Sequence, residues 1–497
     1  MLMTFVVSHG LSWTALDDLL ALTNALFGPT ASVLPRTKYL FRKLWAAKTT
    51  ALAKTFYYCH FCGAEVEFTD GDRMCSCQSV DCDTTHTVSK LRTNGNFFTI
   101  LDLRSQILHL IALNADELYQ NLLHIQAEGE RGTDVITDIT NAMHSRQLRD
   151  TGKLKWTDLT ITFNTDGTPV FKSSKSAIWP IQFTLNELPP QLRLRKCVTA
   201  GLWFGPNRPN MTLFLSKFVQ ELEDLSIRWS CGDQTVVSSV YATCCSVDSP
   251  ARAAVRNHVT FSGYFGCPWC FARGTHDSGK LCYENTEVDE ERTAQQVKSD
   301  MNLALECSCI VNGIKGPSPV MNLKNFDLVW SFSVDYMHAV LLGVTRQVTE
   351  CLLDSCNSGE RYYIGSPSSI NAIDRRLLSI RPPHNFTRLP RSVRERCFWK
   401  ANFLLQKFVR NVGAYYGTHM MTFNVHLLLH FESGNGKLVK SIQAAKGAPL
   451  QVIERVVMEE EVALLLKAVP MSSTVKTICS RMTTSQHIQN AVEVDGA

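Results

Sequence analysis

A chain of 497 residues with 45% hydrophobic content is long enough for several cored domains and too apolar for a disordered polymer. A net charge of +4 announces no polyelectrolyte, so any affinity for nucleic acid must come from local basic stripes. There is no apolar run of about 18 residues, no basic n-region with a long apolar h-region at the start, and eighteen cysteines without a secretion signal argue for reduced thiols, some of them on metal.

Residues 1–55 read as a helical region. Ser12 is a candidate N-cap, Leu16, Leu19, Leu20, Leu22 and Leu26 form an apolar stripe, and Gly28-Pro29 ends it. A basic stretch from Arg36 to Lys54 follows. Residues 56–90 read as a cysteine-rich, zinc-ribbon-like module. Cys59-x-x-Cys62 offers two thiolates that can grip one tetrahedral ion, and a second pair would close a structural site. That second pair is open: Cys75 or Cys77 with Cys82, or His86 as a substitute. The plainer reading is a group of loop thiols without metal. Residues 91–150 read as a helical linker region, with helical spacing from Phe98 to Ile111 and from Leu118 to Ile125.

Residues 151–262 alternate like a small mixed α/β domain. Strands are predicted over Leu159–Phe163, Trp179–Leu185, Cys197–Phe204 and Val236–Ser246, with a helix over Met211–Arg228. Asp166 follows the first strand and Asp248 the fourth. Alone, Asp166-Gly167 is a common turn and Asp248 an N-cap for the helix opening at Ser249-Pro250. Together they put two carboxylates at strand ends of one α/β unit, which suggests a ribonuclease-H-like core. Such a site holds Mg²⁺ or Mn²⁺ for phosphoryl transfer, because each hard cation takes oxygen ligands converging from different strands.

Residues 263–345 read as a zinc-knuckle insertion. Cys267-Pro-Trp-Cys270 also has the form of a redox pair, but a polar loop follows it where a thioredoxin-type site needs a helix. The expected partners are Asp335 and His338, three apart and so on one helix face, with Cys307 and Cys309 as the rival pair. A packed histidine at a helix start is the plainer reading of His338. Residues 335–356 read as a helix. Residues 346–467 read as a helical region with the remainder of the core. The basic stripe Arg388, Arg391, Arg394, Arg396 and Lys400 is there either to contact phosphates or simply to be solvated. Residues 468–497 read as a loose tail.

Several blocks carry a family resemblance. They are Asn164-Thr-Asp-Gly-Thr-Pro-Val-Phe171, Val247-Asp-Ser-Pro-Ala-Arg252, Gly263-Tyr-Phe-Gly-Cys-Pro-Trp-Cys270, Val334-Asp-Tyr-Met-His338 and Met421 to His430. In this order they resemble transposases of the CACTA (EnSpm-like) group, in its animal branch. The resemblance implies a DDE/D enzyme whose third carboxylate is Glu432, with Glu454 and Glu459 to Glu461 as weaker substitutes. It also matches Cys267, Cys270, Asp335 and His338 to the family's Cys-x-x-Cys and Asp-x-x-His signatures. It implies DNA ends as partner, a homo-oligomer, a nuclear setting, catalytic Mg²⁺ or Mn²⁺ and structural Zn²⁺. Two departures point to internal deletions that impair activity: Lys400-Ala401 runs straight into Asn402, and His430 abuts Phe431-Glu432. A domesticated, non-catalytic DNA- or protein-binding zinc protein is the competing expectation.

Overall fold

In the computed structural model the described residues are 13–27, 34–41, 43, 53–69, 73–131, 136, 138–169, 177–193, 195–205, 208–277, 279–283, 290–335, 337–379 and 392–398. The chain divides into two compact units, Met1–Ser105 and Gln106–Ala497.

The first unit opens with helix α1 (Trp13–Phe27). Its stripe is narrower than expected: Leu16 and Leu20 are fully buried and pack against Leu34 and Phe41, while Leu22 and Leu26 are exposed. The Asn24 side chain closes the return of the chain, donating to the Leu34 carbonyl at 3.0 Å and accepting from its N–H at 2.8 Å. The Ser12 cap lies outside the described residues. Strand β1 (Ala53–Tyr58) pairs antiparallel with β2 (Glu65–Val66) and β5 (Phe97–Leu101). A hairpin of β3 (Met74–Ser76) and β4 (Thr85–Thr87) leads into helix α2 (Val88–Thr93), capped by Thr87.

Strand β5 stands where the spacing predicts a helix. Phe98 and Ile100 are buried between half-buried neighbours, a period of two that suits the β-favouring Phe-Phe-Thr-Ile run. Helix α3 (Leu103–Ala112) follows and contains the division between the units.

The second unit is a mixed α/β structure around a mixed sheet. Helices α4 (Ala115–Arg131) and α5 (Met143–Asp150) precede it. Strand β6 (Leu159–Thr165) is buried along nearly its whole length, as a central strand must be. It pairs antiparallel with β8 (Ala177–Leu185), which pairs antiparallel with β9 (Val198–Gly205); the two-residue β7 (Thr168–Pro169) also lies on β8. Helix α6 (Met211–Leu222), capped by Asn210, buries Phe214, Leu215, Phe218 and Leu222. The Phe163 and Phe218 rings sit 5.2 Å apart, and those of Trp203 and Phe214 5.7 Å apart.

Strand β10 (Ser226–Cys231) forms a hairpin with the first half of β11 (Gln234–Ser246). The predicted helix therefore ends early, because Ile227 and Trp229 alternate into the core. The second half of β11 pairs parallel with β6. Cys245 faces Phe163 on one edge and Phe332 of β14 (Phe332–Ser333) on the other, and both pairings are parallel. The order through the strand ends is thus β9-β8-β6-β11-β14, with β6, β11 and β14 parallel.

Helix α7 (Ser249–Val255) follows β11 directly. A hairpin of β12 (Thr275–Asp277) and β13 (Lys280–Cys282) comes next. Helix α8 (Ala294–Cys307) begins at a reciprocal capping box of Thr293 and Gln296. Neither was expected. The buried stripe of α8 is only Val297, Met301 and Ala304, too narrow to announce itself. The predicted helix at 335–356 is present as a π-helix, Met337–Thr345, running into α9 (Arg346–Leu353). Helix α10 (Pro367–Ser379) follows, and a short 3-10 helix over Val393–Phe398 closes the described part. No helix among the described residues is long and apolar enough to cross a membrane.

Candidate metal centre and strand-end carboxylates

Four thiols of the first unit meet: those of Cys59, Cys62, Cys77 and Cys82 all lie within 4.8 Å of one another. Two turns bring them together. Cys59 to Gly63 closes through Gly63 N–H to the Cys59 carbonyl at 2.9 Å, with Gly63 in the left-handed region at φ 74°. Cys77 to Thr84 closes through Cys77 N–H to the Thr84 carbonyl at 2.9 Å and Cys82 N–H to the Ser79 carbonyl at 3.0 Å. The Phe61 N–H points at Cys59 Sγ, 3.4 Å away.

The donor set fits zinc. Zn–S bonds of about 2.3 Å set a tetrahedral S···S edge of about 3.8 Å, and here Cys59–Cys82 measures 3.7 Å and Cys62–Cys77 3.4 Å. The thiols are not equivalent. Hydrogen bonds at Thr84 lower Cys82 to about 7. Burial raises Cys59. Cys77 rises to about 12: the Ser79 N–H lowers it, but burial and the neighbouring Cys62 and Cys82 thiols outweigh that. Four adjacent thiolates need a cation among them, and a structural metal such as Zn²⁺ could supply it.

The open second pair is therefore Cys77 with Cys82. Cys75 lies in β3, and its Sγ donates to the Glu67 carbonyl at 2.9 Å, outside the cluster. His86 stands opposite Cys75 in the hairpin, its ring edge-on to His60 at 5.4 Å.

Asp166 and Asp248 lie at the same ends of adjacent parallel strands. Phe163 and Cys245 are register partners, and each aspartate follows its partner by three residues. The Asn164 side chain donates to the Ser246 carbonyl, tying the two ends together. Asp166 is exposed and Asp248 half-buried. Asp248 also caps α7, accepting from the Ala251 N–H at 2.8 Å. Gly167 has a packing reason beyond turn chemistry: a Cβ there would come within 2.5 Å of the Trp179 ring. Gly167→Ala is expected to cost about 1–3 kcal/mol by overpacking. Urea unfolding measures this, and a loss under about 0.5 kcal/mol, the range of a neutral surface change, would show that the indole does not hold the Asp166 turn.

Asp335 follows β14 as Asp248 follows β11. Ser246 and Ser333 are register partners, and each aspartate lies two residues on. Asp335 is buried and hydrogen-bonds His338 Nδ1. Cys267 and Cys270 are buried as well, yet these two thiols, Asp335 and His338 do not form a second ligand group among the described residues.

Three buried arginines surround the Cys267–Cys270 loop instead. Arg292 Nε donates to the Cys267 carbonyl at 3.1 Å and the Cys270 carbonyl at 2.9 Å. Arg256 donates to the Pro268 carbonyl at 3.2 Å and lies over the Phe332 ring. Arg252 donates to the Ser333 carbonyl at 3.0 Å and lies 4.5 Å over the Trp269 ring. Burial lowers Arg252 to about 10 and Arg256 to about 9, so both stay cationic at neutral pH. Burial takes His258 down to about 3, so it is neutral. The sequence signal for this cluster was Arg252-x-x-x-Arg256 on one face of α7, which passes for a solvated face.

Glu432, Glu454, Glu459 to Glu461, Arg388, Arg391 and Lys400 lie outside the described residues. Of the basic stripe, Arg394 and Arg396 are described; Arg394 is exposed and pairs with Asp374 at 3.7 Å, and Arg396 is half-buried. No family model matches the chain, and no curated protein matches it.

Proposed function

We propose that the chain is a metal-dependent DNA phosphoryl-transfer protein of transposase descent, with Asp166 and Asp248 as its divalent-ion ligands. One observation carries this reading: the two aspartates end adjacent parallel strands in register. The order third-second-first-fourth-fifth, with the first, fourth and fifth strands parallel, supports a ribonuclease-H-like core. When bound, a pair of Mg²⁺ or Mn²⁺ ions would neutralise charge at the phosphodiester and sharpen the nucleophile. The chain's part is to hold those ions from two rigid strand ends, with α7 fixing Asp248 and the Gly167–Trp179 contact fixing Asp166. Glu432 is the third ligand on this reading, and DNA ends in the nucleus are the substrate. The deletions near Ala401 and His430 leave activity low.

The test is calorimetric titration of Mn²⁺ into the full chain. Asp166→Asn and Asp248→Asn should each weaken binding by about tenfold or more, since each removes a charged ligand. Equal affinity in all three proteins removes the site.

A non-catalytic zinc protein is the second reading, favoured by the four-thiol centre being the ligand group that does assemble among the described residues. Both readings include a second zinc on Cys267 and Cys270. The support is the ligand type and spacing: Cys267 and Cys270 are two buried thiols in a Cys-x-x-Cys. Purified protein should carry two zinc ions, falling to one in Cys267→Ser. Unchanged zinc in that variant would end the idea.

A further inference from the structure

Arg252 carries an inference that rests on the strand-end reading and extends it. The residue sits one turn into α7, its backbone N–H donating to the Asp248 carbonyl at 2.8 Å. Its side chain is 2% exposed and reaches across to the Ser333 carbonyl, two residues before Asp335. The backbone of Arg252 thus holds to Asp248, and its guanidinium ends on the carbonyl two residues before Asp335. Burying that charge is costly unless negative charge stands close. A carbonyl and an indole face are weak compensation. The groups that favour the cation are Cys267, Asp335 and Asp248, in that order.

We propose that Arg252 is the resident counter-ion of the strand-end carboxylates, offsetting Asp335 and Asp248 and holding their strands together while no divalent ion is bound. A guanidinium and a divalent ion are like charges drawing on the same carboxylates. Arg252 therefore moderates metal affinity, and it acts as a positioning residue. Asp335 belongs to the strand-end site in this account.

Arg256 supplies the matched control. It lies one turn further along, is equally buried at 2% exposure, and also donates to a carbonyl and stacks on a ring. The carboxylate that favours it is Asp327, and neither Asp248 nor Asp335 stands among its leading partners.

The experiment compares full-length wild type, Arg252→Gln, Arg252→Lys and Arg256→Gln. Glutamine removes the charge while keeping a donor for the carbonyl, and lysine keeps the charge. Mn²⁺ is titrated by calorimetry, and thermal unfolding is run in EDTA and in Mn²⁺. Arg252→Gln should bind Mn²⁺ about tenfold tighter than wild type, because a nearby like charge is gone. Its unfolding temperature should rise with Mn²⁺ more than that of the other three. Arg252→Lys should stay within about twofold of wild type, since the charge is unchanged. Recovery by Mn²⁺ of an Arg252→Gln protein that is unfolded in EDTA would equally support the role; failure to recover it would overturn it. Identical Mn²⁺ responses of Arg252→Gln and Arg256→Gln would reduce Arg252 to a packing residue and overturn the proposal alone. Absence of any Mn²⁺ binding in wild type and variants would overturn the strand-end reading, and this proposal with it.

Discussion

Replacing any one of Cys59, Cys62, Cys77 or Cys82 by serine should release one zinc ion per chain and unfold the ribbon between Ala53 and Leu101. The reason is the make-up of its core. Cys59, Cys77 and Cys82 are three of the five buried residues in the cluster around the thiols, with only Val66 and Leu91 beside them. So small an apolar set cannot support a module alone, and metal binding stands in for the missing core. Structural zinc contributes on the order of 10–16 kcal/mol of apparent binding free energy in small zinc modules. Metal analysis and amide exchange measure the loss. Cys75→Ser is the control: its thiol faces the Glu67 carbonyl, so zinc content should not change.

The pH dependence follows from the thiols. Zinc binds thiolates, so protons compete with it. Cys82, held near 7 by Thr84, is the thiolate most available at neutral pH, while Cys77, near 12, must lose its proton to the metal. Zinc affinity, and with it the module's stability, should fall most steeply as pH drops through about 7, where Cys82 also takes a proton, and should go on rising above it, because Cys77 and Cys59 still give up protons to the metal. A ribbon that keeps its amide protection in Cys59→Ser would remove the centre.

Much of the second unit could be read from residue order. The runs at Leu159, Trp179, Val198 and Val236 are long and apolar enough to declare strands, and each became one. Two aspartates after the first and fourth of them already suggested a shared end of a sheet. Strand β14 could not be read, because two residues carry no period. Without it Asp335 looks like the start of a helix, and the Met-His that follows directs it toward a zinc knuckle. Only tertiary pairing puts it in register with Asp248. The choice between Cys75 and Cys77 was hidden for a similar reason. Both suit a ligand by spacing, and the turn closed by Ser79 and Thr84 decides between them. The arginines of α7 were the deepest miss. An i, i+4 pair of arginines reads as solvated until the Cys267–Cys270 loop folds over it.

Slow, Mn²⁺-dependent nicking of supercoiled DNA is the second large effect expected, and Asp166→Asn or Asp248→Asn should each abolish it. Loss of one preorganised charged group in a site of this kind costs about a hundredfold or more in rate. Asparagine isolates the charge at both positions. At Asp248 it caps a helix as well as aspartate does, so α7 should keep its first turn, whereas alanine would add about 1 kcal/mol of lost capping. At Asp166 it leaves the Gly167–Trp179 contact untouched. Unfolding midpoints of the two Asn variants should therefore match wild type while cleavage disappears. That combination separates chemistry from folding. The rate of the parent should itself be low, since the chain around Ala401 and His430 lacks stretches that the resemblance expects ahead of Glu432. Inserting a helical segment at Ala401 should raise it, and the rise should vanish in Asp248→Asn. Cleavage that survives both Asn changes would place the chemistry elsewhere. Mn²⁺ binding without cleavage, in the parent and in the extended chain alike, would leave two strand-end carboxylates holding an ion for a protein that only binds DNA.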